Sequence, residues 1–501
     1  MLSTQQVPCY MNLMKGGKKR LFDLLGFAVV LVWLVMMGIL IKRSYFKPAP
    51  ETLSTYHSSS AIDESESWMA IYHHDAKIGF AHSRIVKESD GYIVSESVVM
   101  ILRAIGAVHR VSTEIIGHLK HDASLRSFVF ILDSGMVRFK AKGKVEGQYL
   151  VLNTDLGGET RESKILLQEK PFFSLGLWPH LMKKGLVVGE RYRLSLFDPS
   201  IMAQKPVEVS VIGQETVIID GSEWEAYKVK TTLAGLEVFA WIGPNGERLK
   251  EEGLMGFKMV RTTEDQARLG IRSDPEVDIA EAVSVSSDKE LVEPANLSYL
   301  KIRLDGIDLG GLDLNSGRQR LTGSILEVSL ESNEPSRVYN RVQLEPHLKA
   351  SPLIQSDHPT IKALAIEIAG QVNEDEVKVR QILNWVHSSL EKRPTVSVPN
   401  ALGTLKGKAG DCNEHAALFA ALARATRIPA KVSLGLVYTR GRFYYHAWNE
   451  VFLGKWISVD SLMGQMPADV THIKFVEGDL GRQAEMVRII GQIRLSVLEA
   501  R

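Results

Sequence analysis

The feature that most constrains the fold is one helix that is apolar on nearly every side. Residues 410–432 read GDCNEHAALFAALARATRIPAKV. Asp411, followed three residues later by Glu414, forms a capping-box pattern, which predicts a helix from about Cys412 to Thr426. A helix without a polar face is buried inside a domain rather than lying on its surface. The chain must therefore contain a domain that encloses the residues following Cys412.

Cys412 is a candidate nucleophile because of its place in this helix. It lies in the first turn, where the helix macrodipole favours a thiolate. A cysteine that attacks a carbonyl needs a histidine to take its proton and a third group to orient that histidine. The segment YYHAWNEVFLGKWISVD supplies both, with His446 on a predicted strand and Asp460 at the end of the next strand. Cys412, His446 and Asp460 are therefore the candidate catalytic residues.

These motifs occur in an order that resembles a known family. The stretch from about 356 to 475 resembles the transglutaminase-like superfamily of bacterial membrane-anchored type, through GDCNEHAALFAALARATRIPAKV, YYHAWNEVFLGKWISVD and GQMPADVTHIKFVEGD. The resemblance implies a papain-like domain with a Cys-His-Asp triad that forms an acyl-enzyme on amide bonds of protein or peptide substrates. Hydrolysis, as in a cysteine protease or amidase, and acyl transfer to an amine both stay open. The family typically has proline after its Asp, whereas this chain has Ser461, which affects the local turn.

Strand parity makes the triad a testable geometric hypothesis. A two-residue turn at Gly454-Lys455 would place His446 and Asp460 on opposite faces of the sheet, because side chains alternate along a strand. A triad therefore requires a three-residue loop or a bulge, and Gly454 permits either through a positive φ. The three-residue loop would pair Phe452 with Trp456. It predicts an Asp460 oxygen within about 3.2 Å of a His446 ring nitrogen.

Three alternatives to the catalytic hypothesis stay open. Cys412 could be a packed small side chain in an alanine-rich helix. Cys412 and His415 have a C-x-x-H spacing, but a structural zinc site needs four ligands and the sequence offers no others nearby. The domain could also be a catalytically silent binding or scaffold protein of the cell envelope. We expect no metal and no cofactor. The backbone N–H of Cys412 is the expected oxyanion donor, with Asn400 or Asn449 as the second.

The N-terminal region predicts a membrane anchor. Leu24 to Ile41 runs eighteen residues without a charge and is flanked by basic residues on both sides. That length reaches the threshold for a transmembrane helix, and a cleavable signal peptide is the alternative. The run predicts a single-pass protein of the inner (cell) membrane. The slight excess of basic residues before it predicts that the N-terminus lies in the cytoplasm. The C-terminal domains would lie on the periplasmic or extracellular side.

The sequence predicts an α+β chain with six segments. A formal net charge of +1 argues against a nucleic-acid partner. Short alternating runs about ten residues apart predict an antiparallel β sandwich or barrel-like region before the papain-like domain. We expect a cytoplasmic tail over 1–20, a transmembrane helix over 21–42, a linker over 43–66, a β-rich domain over 67–275, a connector with a small β module over 276–350, and a transglutaminase-like domain over 351–501.

Overall fold

The computed structural model describes residues 51–52, 62–135, 138–155, 160–233, 236–331, 341–395, 397–478, 482, 484–487 and 489–501. The chain divides into units 1–51 and 52–501. A two-residue strand, β1 (Glu51–Thr52), lies at their boundary, and the other helices and strands belong to the second unit. The predicted cytoplasmic tail and transmembrane helix lie outside the described residues. Within the described part of the chain, no helix is both long and apolar enough to cross a membrane.

The β-rich region that the alternating sequence predicts is present, and it begins at Ser65. Its strands are β2 (Ser65–His73), β3 (Ala76–Glu88), β4 (Gly91–Ala104), β5 (Ala107–Leu119), β6 (Leu125–Asp133), β7 (Arg138–Glu146), β8 (Tyr149–Asp155), β9 (Thr160–Leu166), β10 (Pro171–Phe172), β11 (Arg191–Asp198), β12 (Ala203–Ile219), β13 (Ser222–Leu233), β14 (Leu236–Ile242), β15 (Arg248–Glu252) and β16 (Phe257–Thr262). Helix α1 (Ser174–Lys184) interrupts them between β10 and β11.

These strands form one continuous sheet made of two antiparallel meanders. The first meander runs from β2 to β9 and the second from β11 to β16, and the antiparallel pairing of β16 with β2 joins them. The two-residue β10 pairs in parallel with β11. The sequence allowed a sandwich of two sheets, but backbone hydrogen bonds here connect all these strands into a single sheet.

Turn chemistry explains the hairpin between β12 and β13. Ile219 pairs with Ser222, so the loop has only two residues, Asp220 and Gly221. Both have positive φ, 49° and 76° respectively. A type I′ turn requires this conformation at both central residues, and Asp-Gly is a preferred sequence for it. The Asp-Gly dipeptide therefore accounts for the tight connection.

The region between the β-rich part and the helical part contributes a second small sheet. This region contains α2 (Glu264–Arg268), α3 (Ile279–Val283), β17 (Val285–Ser286), β18 (Tyr299–Asp305), β19 (Gln319–Thr322), β20 (Ile325–Ser329) and α4 (Arg341–Leu344), with short 3-10 turns at Pro294–Asn296 and Glu345–His347. A further 3-10 turn, Leu254–Gly256, lies between β15 and β16. The sheet order is β19-β20-β18-β27, where β27 (Arg494–Ala500) is the last strand of the chain. The chain therefore returns at its C-terminal end to strands that are nearly 200 residues earlier.

The C-terminal part surrounds the buried helix with other helices on one side and a sheet on the other. Its elements are α5 (Pro359–Ala369), α6 (Asp375–Ser389), β21 (Glu391–Lys392), α7 (Ala401–Gly407), β22 (Ala409–Gly410), α8 (Cys412–Ala425), β23 (Ala430–Thr439), β24 (Arg442–Phe452), β25 (Trp456–Val459), β26 (Ile473–Gly478) and α9 (Ala484–Val487). The sheet order is β17-β24-β23-β26, with β25 paired to β24. Helix α8 packs against β23, β24, α5 and α6. The expectation that α8 is enclosed is confirmed, because every residue from Glu414 to Arg424 is buried.

Asn373 and Glu376 have the spacing of a capping box, but they do not cap the helix that follows. Helix α6 has Glu374 as its N-cap residue, without a side-chain capping bond. Instead, two acidic residues in its first turn, Asp375 and Glu376, interact favourably with the positive end of the helix dipole. The apolar face of α6 is buried in the domain, and it consists of Val379, Ile382, Leu383 and Val386.

Candidate active site

The capping box at the start of α8 fixes the position of Cys412. Asp411 is the N-cap residue, and its Oδ1 accepts a hydrogen bond from the Asn413 backbone N–H at 2.9 Å. Glu414 Oε2 accepts in return from the Asp411 backbone N–H at 3.1 Å. This reciprocal pair is the capping box that the sequence predicted. Cys412 is therefore the first residue of α8, and the helix from Glu414 to Arg424 is buried inside the domain.

The thiol of Cys412 lies against the strand that carries His446. The backbone of Ala447, the residue after His446, lies close enough to the sulfur to act on the thiol, and it lowers the pKa of Cys412. Burial raises the pKa of the Cys412 thiol well above its usual value, and the charge of Asp411 adds to this effect. The expectation that the helix dipole favours a thiolate is therefore wrong for the free protein, because burial and the neighbouring carboxylates outweigh the dipole.

The register of β24 and β25 is the one that a triad requires. Phe452 pairs with Trp456, so the loop between the strands has three residues, as predicted. Gly454 lies in this loop with φ 77°, and the Leu453 N–H donates to the Lys455 carbonyl at 2.8 Å. A two-residue turn would have moved His446 to the opposite face from Asp460. The predicted register is confirmed.

His446 and Asp460 form a short, buried hydrogen bond. The His446 Nε2 atom lies 2.6 Å from Asp460 Oδ2, inside the predicted limit. Because a carboxylate only accepts hydrogen bonds, Nε2 carries the proton. The other ring nitrogen, Nδ1, is then the one left to accept a proton from a thiol. Trp448, two residues along the same face, stacks on the His446 ring with the centroids 6.2 Å apart. None of the contacts among the described residues joins the Cys412 sulfur directly to His446.

Asp460 accepts hydrogen bonds on both of its carboxylate oxygens. Oδ1 accepts from the backbone N–H groups of Leu462 and Met463 at 2.8 and 2.9 Å. Oδ2 accepts from His446 and from a second histidine, His472. Burial alone would raise the pKa of Asp460, but the electrostatic interaction with His446 and the hydrogen bonds from both histidines hold that pKa far below its usual range. Asp460 is therefore an ionised carboxylate at neutral pH.

Replacement of the family proline by Ser461 leaves the turn after Asp460 intact. The backbone N–H groups of Gly464 and Gln465 donate to the Asp460 carbonyl at 2.8 and 3.0 Å, and the Asp460 N–H donates to the Gln465 carbonyl at 2.9 Å. These bonds close a compact turn around the carboxylate. A rigid proline ring is not needed to form it, since three backbone–backbone hydrogen bonds and two from backbone N–H groups to the Asp460 carboxylate already hold this segment.

His472 is the residue that the sequence interpretation missed. It directly precedes β26, is fully buried, and places its Nε2 atom 3.0 Å from Asp460 Oδ2. Its Nδ1 atom lies 3.2 Å from Asp469 Oδ1. The available signal was the Asp-x-x-His spacing from Asp469 to His472 within the tail that resembles the family. That spacing does not show that His472 also contacts Asp460, so this hydrogen bond could not have been deduced from the sequence.

The two amides suggested as second oxyanion donors are engaged elsewhere. The Asn400 side chain caps α7, with Oδ1 accepting from the Gly403 N–H at 2.7 Å and Nδ2 donating to the Val398 carbonyl. The Nδ2 atom of Asn449 donates to the Ala416 carbonyl at 3.0 Å and is fully buried. The structure therefore supports neither amide as an oxyanion donor. Asn449 instead ties β24 to α8 and thereby helps to hold Cys412 near His446.

Metal-type ligands come together at the triad rather than at the C-x-x-H spacing. In the described part of the chain, one group of such atoms lies within 4.8 Å of one another, and it consists of His446, Asp460 and His472. Mutual hydrogen bonds already account for these contacts. His415 is fully buried, and its Nδ1 atom lies 2.8 Å from the Asp411 carbonyl. Burial lowers the pKa of His415, so it is a neutral helix residue.

Comparison with known proteins agrees with this geometry. Residues 362–461, which contain Cys412, His446 and Asp460, match the family model of the transglutaminase-like superfamily. This segment is a transglutaminase-like domain. Its sheet carries the histidine and the carboxylate on neighbouring strands, and its buried helix carries the cysteine at its start.

Solved structures show only distant similarity to the chain. The periplasmic domain of TgpA from Pseudomonas aeruginosa, bound to ethylmercury, is 18% identical, with 34% of this chain and 76% of that chain covered and a TM-score of 0.25. A beta-barrel-like protein, of a domain of unknown function, from Brucella abortus is 14% identical, with 40% and 96% covered and a TM-score of 0.33. No curated protein matches the chain. The family assignment of the C-terminal domain therefore depends on the family model and the geometry.

Proposed function

We propose that the protein is a cysteine enzyme that acts on amide bonds of protein or peptide substrates through an acyl-enzyme on Cys412. The observation that carries this proposal is the 2.6 Å bond between His446 and Asp460 in the required strand register. That bond fixes the proton on Nε2 and leaves Nδ1 as a base facing away from the carboxylate. The backbone of Ala447, the next residue along the same strand, is close enough to the Cys412 sulfur to lower the pKa of the thiol.

The reaction begins with a neutral thiol, because burial raises the pKa of Cys412. The thiol proton passes to His446 Nδ1 as the sulfur attacks the carbonyl carbon of the substrate amide. The C–N bond then breaks, and the leaving amine takes the proton from His446. This leaves a thioester on Cys412 and a neutral imidazole. His446 Nδ1 then accepts a proton from water or from a second amine as that nucleophile attacks the carbonyl carbon of the thioester. The C–S bond breaks, His446 passes this proton to the sulfur, and the free thiol is restored as the carboxylic acid or the new amide leaves.

Oxyanion stabilisation in this scheme comes from the start of α8. The backbone N–H of Cys412 lies at the positive end of the helix and has no partner within the helix. A donor in this position stabilises the charge that develops on the substrate oxygen. Because the side chains of Asn400 and Asn449 are engaged, the scheme uses this backbone donor and assigns no side-chain amide to the role.

We further propose that a transmembrane helix over 21–42 anchors the enzyme, with the catalytic domain on the periplasmic or extracellular side. The support is the uncharged run before Lys42 and the distribution of flanking basic residues in the sequence. In an exported protein, a lone cysteine is exposed to oxidation, so its presence favours a chemical role. Both amide hydrolysis and acyl transfer use this cysteine, and for an exported bacterial protein we favour hydrolysis.

The experiment that tests the proposed function does not require the natural substrate. Full-length protein in detergent is incubated with a mixed peptide library in ¹⁸O-labelled water, with and without a fluorescent primary amine. Mass spectrometry then separates new ¹⁸O-labelled carboxylates from amine-labelled products. We expect ¹⁸O incorporation that disappears in Cys412→Ala. Products that persist in Cys412→Ala contradict the assignment, and no product in either sample favours the catalytically silent alternative.

A further inference from the structure

We propose that His472 is a positioning residue for the reaction, which holds the Asp460 carboxylate in place and balances its charge. The inference depends on the proposed function, because it assigns a role within the same triad. His472 does not touch the Cys412 sulfur in any described contact, so it acts through Asp460 and His446. Three independent features of its surroundings carry the argument: its contacts, its protonation and its effect on Asp460.

The contacts of His472 leave its ring no freedom. Nε2 lies 3.0 Å from Asp460 Oδ2, and Nδ1 lies 3.2 Å from both Asp469 Oδ1 and the Asp469 carbonyl oxygen. The ring is fully buried, and its centroid is 5.6 Å from that of His446 and 5.2 Å from that of Trp448. A buried ring held at both nitrogens cannot rotate without losing both bonds. It therefore presents a fixed donor to Asp460.

Both nitrogens of His472 face only hydrogen-bond acceptors. A neutral imidazole has one N–H and one lone pair, and a lone pair directed at an oxygen would be repulsive. Both ring nitrogens must therefore carry hydrogens, which makes His472 an imidazolium between two carboxylates. Burial lowers the pKa of His472, but the hydrogen bonds to Asp460 and Asp469 outweigh it and the net direction is upward. The direction of this pKa shift agrees with the geometry.

The consequence for Asp460 is that every hydrogen-bonding position is occupied. Two backbone N–H groups bind Oδ1, and two imidazoles bind Oδ2. The carboxylate cannot turn away from His446, so the Nε2–H tautomer of His446 is fixed. The positive charge of His472 also offsets part of the negative charge of Asp460. Asp460 then works mainly by orientation, while the cation near the site stabilises the developing thiolate.

Other charged groups near His472 come from several elements. Asp460 follows β25, His446 lies on β24, and Asp469 lies in the loop before β26. The guanidinium of Arg318, just before β19, donates to the backbone carbonyls of Asp469 at 2.8 Å and of His472 at 3.3 Å. Arg318 holds the backbone of the loop and makes no described contact with the imidazole. The charge balance at the ring is therefore set by the two carboxylates and the neighbouring imidazole.

Two substitutions separate the two bonds of His472. In His472→Gln, the amide nitrogen can reach the position of Nε2 and keep the bond to Asp460, but the positive charge is lost. In His472→Asn, the amide nitrogen corresponds to Nδ1, so the contact with Asp460 is lost together with the charge. His180→Gln is the control, because it removes a buried histidine from α1 in the β-rich region. Circular dichroism and thermal unfolding verify that each full-length variant is folded.

The readout is the rate constant for alkylation of Cys412 by iodoacetamide between pH 6 and 10, followed by intact-protein mass. Removal of one positive charge raises the pKa of a nearby thiol. A unit charge acting over roughly 10 Å corresponds to about one pH unit. Because the pKa of the Cys412 thiol is raised, this pH range covers the rising limb of the profile. We expect His472→Gln to lower the rate constant about tenfold at each pH on this limb, which corresponds to the same shift of about one pH unit. We expect His472→Asn to lower it about a hundredfold, because loss of the contact with Asp460 adds about tenfold.

The possible outcomes separate this inference from the proposed function. Profiles of both His472 variants that coincide with wild type overturn the inference, provided that His446→Gln changes the profile. If His446→Gln leaves the pH profile unchanged, both the proposed function and this inference are wrong. If the His472 variants do not fold, the protonation of the buried histidine rings is measured by NMR in wild-type protein labelled with ¹⁵N-histidine. A buried ring with both nitrogens protonated at pH 8 supports the inference, and only neutral buried rings contradict it.

Discussion

Asp460→Asn should be among the most damaging single substitutions in the domain, for stability as well as for reactivity. The amide can keep the two backbone bonds on Oδ1, but its NH₂ group would face the N–H groups of His446 and His472. Each lost charge-assisted bond is worth about 1.5–3 kcal/mol. Removing one partner from a buried ionic pair typically costs about 3–5 kcal/mol. We expect a loss in the free energy of unfolding of about 3–5 kcal/mol on these grounds.

The same substitution changes the tautomer of His446. With an amide NH₂ opposite Nε2, the favoured arrangement places the ring proton on Nδ1, which is the nitrogen needed to accept the thiol proton. In a comparable triad, loss of the correct tautomer reduces turnover by about 10⁴. Any Cys412-dependent turnover should therefore fall about a thousandfold or more in Asp460→Asn.

Urea denaturation monitored by tryptophan fluorescence measures the expected loss in the free energy of unfolding. Asp357→Asn is the matched control, because it removes an exposed carboxylate that pairs with Arg161 at 2.7 Å. We expect the control to lie within about 1 kcal/mol of wild type. Because the folded-state pKa of Asp460 is lowered, its contribution is present above the unfolded pKa of about 4 and is lost as the pH falls. An Asp460→Asn variant as stable as the control at pH 7 would refute the reasoning.

Three further results are expected. Glu450 is buried, pairs with Lys474 at 2.7 Å and has its pKa lowered to about 2. Glu450→Gln should therefore cost about 3 kcal/mol at pH 7 and flatten the loss of stability between about pH 5 and 2, since a lowered carboxyl pKa stabilises only above that window; equal urea midpoints would contradict this. Gly435→Ala should cost about 3 kcal/mol or more by thermal unfolding, because its Cβ would lie 1.9 Å from the Ile473 carbonyl oxygen; an unchanged melting temperature would show that β26 can shift freely. Deletion of residues 1–45 should release soluble protein, and retention on membranes after a carbonate wash would overturn the anchor proposal.

Local rules predicted the parts of the site that depend on neighbouring residues. The capping box of Asp411 and Glu414 lies within four consecutive residues, so the sequence alone is enough to place the start of α8. The three-residue loop at Gly454 followed from parity together with the requirement that His446 and Asp460 meet. In both cases the controlling contacts lie within about fifteen residues of each other.

The parts that failed depend on the path of an irregular loop or on burial. Asp460 and His472 are only 12 residues apart, but neither strand parity nor a capping rule fixes the loop between them. His472 meets Asp460 only because β26 pairs with β23 and the loop after β25 returns to the same face of the sheet. The raised pKa of Cys412 comes mainly from burial, which the sequence indicates qualitatively but does not weigh against a helix dipole. The sequence interpretation also missed that the Asn400 side chain caps α7 and is therefore engaged in that helix.

The central claim is that His446, oriented by Asp460, activates Cys412 as the nucleophile. Full-length protein treated briefly with an activated ester and quenched in acid can be analysed by intact mass and peptide mapping. We predict one acyl group per chain, located on Cys412, removed by hydroxylamine and absent from His446→Gln. Acylation at other residues, or acylation of Cys412 at an equal rate in His446→Gln, would contradict the claim.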